Sequence, residues 1–183
     1  MDGRTRSGKQ NRTLLFNWKE GNLMTALSFR QAMGQFATGV TVITTLNDAE
    51  PHGMTANGFM SISLDPELVA ISIGHKAATL NRIKASNMFG VSILQSEQID
   101  VSKRFAGQIQ VDSPFEFEYV ENFPLIPNSI MRTVCEVVEQ VEAGDHTIFL
   151  GRPKLIEVNE GDPLLFYQGK YRQVEELEVI QKA

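Results

Sequence analysis

The groups in this sequence with chemistry to offer are three histidines, one cysteine and a run of small polar residues. His52, His75 and His146 are too scattered for a zinc signature. Cys135 sits in a strand-like run, Met131-Arg132-Thr133-Val134-Cys135-Glu136-Val137-Val138. A buried, inert thiol is the expectation there, ahead of a nucleophile. No serine lies in a nucleophile-elbow context. No phosphate loop ends in Gly-Lys-Ser/Thr, and no Gly-rich dinucleotide fingerprint follows a strand. By elimination the chemistry asks little of side chains. A cofactor that carries its own reactivity meets that demand.

Three segments could serve such a cofactor. Residues 53–66 run Gly53-Met54-Thr55-Ala56-Asn57-Gly58-Phe59-Met60-Ser61-Ile62-Ser63-Leu64-Asp65-Pro66. A core strand would hold more Val, Ile and Leu; small and hydrogen-bonding residues dominate here. Such a surface lets a flat ring approach backbone, but a Gly-rich edge strand or bulge reads the same way. Gly74-His75-Lys76-Ala77-Ala78-Thr79 leads from an apolar run into a helix. Amide groups at a helix start favour an anion, with Lys76 and Thr79 adding a charge and a hydroxyl. An ordinary strand-to-helix turn is the plainer alternative. Gly144-Asp145-His146 puts an imidazole beside a glycine turn, either as a substrate-site group or as a solvent-facing histidine. His52, next to Pro51, reads as a loop residue.

The elements that must position these groups are mostly strands. Ser28 is a plausible N-cap for an opening helix with Phe29, Met33 and Phe36 at helical spacing, ended by Gly39. Residues 40–46 are rich in β-branched types and read as a strand. Residues 47–53 read as a turn, and 53–63 as extended chain broken at Asp65-Pro66. The apolar run 68–73 suits a strand flanked on both sides. Residues 77–86 and 98–106 read as short helices, the second closed by Gly107. Strands are expected at 89–94, 115–119, 130–141, 147–150, 153–158 and 164–167. About eight strands with two or three short helices do not alternate as a doubly wound sheet requires. A mainly β fold fits, an antiparallel barrel with helices at its ends.

Bulk properties exclude several partners. The chain has 183 residues, 42% apolar and 21% charged, with a net charge of −5. That balance gives no general attraction to nucleic acid or anionic membrane. Basic residues are not interleaved with aromatics as an RNA-binding sheet requires. Residues 1–23 carry five basic and two acidic residues, a local +3, which leaves −8 for the remainder. They read as a flexible basic tail ahead of one domain over 24–183. One cysteine permits no intramolecular disulfide and suits a reducing cytoplasm. No run is long enough to span a bilayer, and Leu14-Leu15-Phe16 is too short for a signal-peptide core.

Six motifs in order resemble the short-chain flavin reductases, whose fold is the FMN-binding split β-barrel. They are the helix and strand over residues 29–45, the polar segment 53–66, Phe89-Gly90-Val91-Ser92-Ile93-Leu94, Arg104-Phe105-Ala106-Gly107, Gly144-Asp145-His146, and Gly169-Lys170-Tyr171-Arg172. The resemblance covers roughly residues 28–175. It is greatest to reductase components of two-component flavin monooxygenases, such as the 4-hydroxyphenylacetate 3-monooxygenase reductase group. It implies hydride transfer from NADH or NADPH to FMN or FAD, a homodimer, and a monooxygenase that consumes the reduced flavin. It also implies roles for particular residues. Thr55, Ala56, Asn57 and Phe59 would line the isoalloxazine and ribityl chain. His75, Lys76 and Thr79 would hold the phosphate end, and Phe105 and Ala106 would pack near the ring. His146 would sit at the nicotinamide side, while Tyr171 and Arg172 would close the pocket. Asn57-Gly58 and Ala77-Ala78 depart from the family's commoner pairs of small or hydroxyl residues. No metal is expected. The rivals are a split-barrel flavoprotein that retains FMN, like a pyridoxine-phosphate oxidase, and a flavin-binding sensor without turnover.

Overall fold

A computed structural model describes residues 26–175 of the chain. The basic tail expected over residues 1–23 lies outside the described residues. The elements are α1 (Ala26–Met33), β1 (Thr38–Gly39), β2 (Thr41–Asn47), β3 (Glu50–Ala56), β4 (Phe59–Leu64), β5 (Glu67–Gly74), α2 (Ala78–Ser86), β6 (Met88–Ile93) and α3 (Ile99–Phe105). They continue with β7 (Glu118–Val120), β8 (Phe123–Leu125), β9 (Met131–Ala143), β10 (His146–Val158), β11 (Leu165–Tyr167) and β12 (Lys170–Arg172). No helix among the described residues is long and apolar enough to cross a membrane.

Among the described residues, 26–35 fall in one compact unit and 36–175 in another. In the first, α1 starts before Ser28, so Ser28 lies inside the helix rather than capping it. It also stops at Met33, well short of Gly39. Gly39 belongs instead to β1, paired with Leu165.

The second unit carries a seven-stranded antiparallel sheet in the order β3-β2-β6-β9-β10-β5-β4. Its two edge strands, β3 and β4, follow each other in the chain, separated by only Asn57 and Gly58. One extended segment therefore pairs with β2 through its first half and with β5 through its second. The Ser72 N–H donates to the Gly58 carbonyl at 2.9 Å and fixes the crossing point. No ladder joins β3 to β4 side by side, so the sheet curls round without closing, as a split barrel does. A three-stranded sheet, β1-β11-β12, and a β7-β8 ribbon complete the unit.

The interior follows from the apolar runs. Ile43, Ile71, Ile73, Phe89, Val91 and Phe149 are buried together, and Leu80 and Ile83 of α2 seal one end. Asn87, left-handed at φ 56°, ends α2 and donates its N–H to the Ile83 carbonyl.

Several boundaries differ from expectation for identifiable reasons. The β2–β3 turn is only Asp48-Ala49, both left-handed at φ 50° and 62°, with Asn47 opposite Glu50. β3 therefore starts at Glu50, and His52 lies in a strand rather than a loop. Pro51 is tolerated because β3 is an edge strand. Residues 147–158 form one strand, with register shifts at Leu150/Gly151 and Pro153/Leu155 that accommodate Gly151 and Pro153. Phe115 and Phe117 lie outside any strand; their alternation reflects anchoring in an aromatic cluster.

Two predictions follow from the interior. A Cβ on Gly151 would lie 2.9 Å from the Cys135 Cβ and inside the Phe89 ring's contact distance. Gly151→Val is expected to lower stability by about 1–3 kcal/mol, read as a reduced urea midpoint at unchanged slope. Burial pushes the Cys135 thiol up to about 11. At pH 8 it is therefore protonated, and a disulfide reagent should label the native protein far more slowly than the urea-unfolded chain.

Candidate functional site

The break between β3 and β4 creates the site. Asn57 takes part in neither flanking register, since β2 pairing ends at Ala56 and β5 pairing begins at Phe59. Just before the break, the Thr41 hydroxyl donates to the Ala56 carbonyl at 2.7 Å. The Thr55 hydroxyl donates to the Ser102 carbonyl on α3, also at 2.7 Å. Helix α3 is drawn onto β3 at Gly53, where a Cβ would stand 2.6 Å from the Phe105 ring. Ser102 and Ala106, one helical turn apart, share one face. The Ser102 hydroxyl lies 3.0 Å from the Tyr171 hydroxyl on β12. Tyr171 stands opposite Phe166 in the small sheet, ring centroids 5.6 Å apart.

These contacts enclose a cleft of about 140 Å³ lined by Val40, Thr55, Ala56, Asn57, Ser102, Ala106, Gln108, Phe166 and Tyr171. Small side chains form its β3 and α3 walls, carboxamides its rim, and an aromatic pair its third wall. Of the residues expected at a flavin site, Thr55, Ala56, Asn57, Ala106 and Tyr171 come together here. Val40, Ser102, Gln108 and Phe166 were not expected. The i, i+4 spacing of Ser102 and Ala106 was the one sequence signal that could have found any of them.

Two expected residues stand behind the lining. Phe59 faces the main core, because the register sets it opposite Ile71. Phe105 packs against Phe115 and Phe117, with centroids 4.9 and 5.8 Å away, and covers Gly53 rather than the cleft. Arg172 is exposed; strand alternation turns it to the face opposite Tyr171.

His75, Lys76 and His146 gather at a second place, where β5 ends beside the β9–β10 turn. The His75 N–H donates to the Asp145 carbonyl at 2.9 Å, and its Nε2 lies 2.9 Å from Glu142 Oε2. Lys84 and the Thr147 hydroxyl also reach Glu142, at 3.3 and 3.1 Å. The Lys84 hydrogen bond chiefly holds the Glu142 carboxyl below its usual range. His146 Nδ1 lies 2.7 Å from Asp145 Oδ1, and that hydrogen bond likewise lowers the Asp145 carboxyl. His146 pairs with Gly74, where a Cβ would come 3.5 Å from its Nε2. Lys76 is exposed, whereas Thr79 is wholly buried on α2, away from the turn's surface. Among the described residues, no group of His, Cys, Asp and Glu could hold a metal.

Residues 33–175 match the flavin reductase like domain. The chain belongs to the flavin reductase-like family. It is 40% identical over 155 residues to the NADH-dependent flavin reductase of a Rhodococcus species, covering 83% of this chain and 88% of that protein. The reductase component of 4-hydroxyphenylacetate 3-monooxygenase from Thermus thermophilus is 34% identical over 148 residues, covering 80% and 95%. Among solved structures, flavin reductase PheA2 superposes with a TM-score of 0.81 at 48% identity, covering 84% of this chain and all of that one. In this flavin reductase-like chain, the contact of Phe105 with Gly53 seats the helical wall. Gly53→Val should displace α3 at a cost of about 1–3 kcal/mol. Flavin fluorescence titration should then show FMN and FAD bound about tenfold more weakly.

Proposed function

We propose that this chain is a flavin reductase that oxidises NADH and reduces FMN or FAD. The observation that carries this reading is the cleft at the β3–β4 break. Ala56 and Ala106 leave room for a flat ring, Asn57 keeps its backbone outside both ladders, and Phe166 with Tyr171 offers aromatic surface. These residues fit a flavin. When bound there, a flavin would supply the redox chemistry, as the acceptor of a hydride from the reduced nicotinamide.

The protein's share is binding and orientation. Thr55, Ala56 and Asn57 line the ring and ribityl chain, with Phe59 and Phe105 bracing them from behind. Ala106 and Tyr171 close the opposite side. Carboxamide N–H donors on Asn57 and Gln108 suit the carbonyl edge of the ring, where negative charge develops on reduction. His75, Lys76 and His146 stand together where β5 meets the β9–β10 turn, outside the cleft's lining; the family resemblance gives His75 and Lys76 to the phosphate end and His146, held by Asp145, to the nicotinamide side.

Reduced flavin then passes to a separate flavin-dependent monooxygenase. The working form is a homodimer. The edge strand β4 exposes Met60, Ile62 and Leu64, the last at 90%, an apolar strip that favours cover by a second copy. We place the enzyme in the cytoplasm, a reducing compartment suited to its one free cysteine.

The test is steady-state oxidation of NADH with riboflavin, FMN or FAD added in turn. The rate should rise with free flavin; a flat rate from protein that binds flavin would refute the reading. His146→Ala should raise KM for NADH more than Kd for flavin, whereas equal losses would remove His146 from the nicotinamide side.

A further inference from the structure

Ser102 holds two walls of the cleft at once. It is fully buried on α3. Its carbonyl accepts the Thr55 hydroxyl at 2.7 Å and the Ala106 N–H at 2.9 Å. Its hydroxyl meets the Tyr171 hydroxyl at 3.0 Å. The strand wall, the helical wall and the aromatic wall are thus all fixed relative to one residue.

The walls differ in how firmly they are tied. β3 pairs along its whole length with β2 in the seven-stranded sheet. α3 is seated by Thr55 and by Phe105 over Gly53. β12 has three residues, pairs only with β11, and ends a separate sheet. The cleft, at about 140 Å³, is smaller than the 300–1,000 Å³ typical of sites for drug-sized ligands. Of the three walls β12 is the least tied, so its movement is the one that would widen the cleft for a flavin.

We propose that Ser102 is a positioning residue: its hydroxyl latches Tyr171 across the cleft and sets how long FMN or FAD stays bound. The inference rests on the flavin reading of the cleft. The latch acts through the Tyr171 ring. It is one neutral hydrogen bond, weak enough to open by thermal motion and sufficient to slow escape. A reductase that hands its flavin to a second enzyme gains from such a catch, because each turnover must end in release.

The test compares parent protein, Ser102→Ala, Tyr171→Phe and the double variant. FMN and FAD release is timed by stopped-flow fluorescence after dilution, alongside KM for flavin, kcat and thermal midpoint. Each single variant should release flavin about three- to tenfold faster, the effect of one lost neutral hydrogen bond. KM for flavin should rise by a larger factor than any change in kcat, and the double variant should be no faster than the faster single one. Tyr171→Phe alters only a hydroxyl at the cleft and decides the matter should Ser102→Ala fail to fold. Unchanged release, or additive effects in the double variant, would overturn the latch while leaving the flavin reading intact. A parent protein that binds neither FMN nor FAD would overturn that reading and the latch with it.

Discussion

The strand switch at Asn57-Gly58 governs this molecule. A seven-stranded curled sheet has two edges, and here one short segment supplies both. The change of partner from β2 to β5 occurs within two residues, anchored by the Ser72 N–H on the Gly58 carbonyl. Gly58 suits that corner, since a Cβ there would sit 3.2 Å from the Ser72 Cβ. A strand with continuous neighbours would spend its backbone groups on ladders. At the corner, Asn57 keeps its own outside them, and a cleft opens beside it.

The surrounding elements serve that corner. Helix α3 is pulled onto β3 by an aromatic ring lying on a glycine, with Phe115 and Phe117 packed behind. The small β1-β11-β12 sheet contributes the aromatic pair. Replacing large apolar residues with Thr55, Ala56 and Asn57 weakens local packing, and the deep core of Ile43, Ile71, Phe89 and Phe149 carries the stability instead.

Legibility in the sequence tracked how local each signal was. The β-branched run of β2 and the apolar run of β5 announced themselves, as did both helices after residue 77. The Asp48-Ala49 turn did not, because it adopts left-handed geometry without glycine. β1 exists only through a partner distant in sequence, β11, while β8, with Pro124 at its centre, and β12 are three-residue strands in two-residue-turn hairpins, too short to show an alternation. The same divide runs through the site. Thr55, Ala56, Asn57, Ala106 and Tyr171 were legible as motif residues. Val40, Gln108 and Phe166 line the cleft only because the folded chain brings the β1–β2 link, the segment after α3 and β11 to one place. Arg172 lies on the face of β12 opposite Tyr171, a direction that a motif does not state.

The pairing of β1 with β11 has a consequence for biosynthesis. Thr38 and Gly39 find their partners, Phe166 and Leu165, only after all the strands of the seven-stranded sheet have been made. The curled sheet can assemble earlier from β2 to β10, but the wall bearing Phe166 and Tyr171 cannot. A ribosome-bound chain therefore acquires its framework first and the aromatic wall of its cleft last.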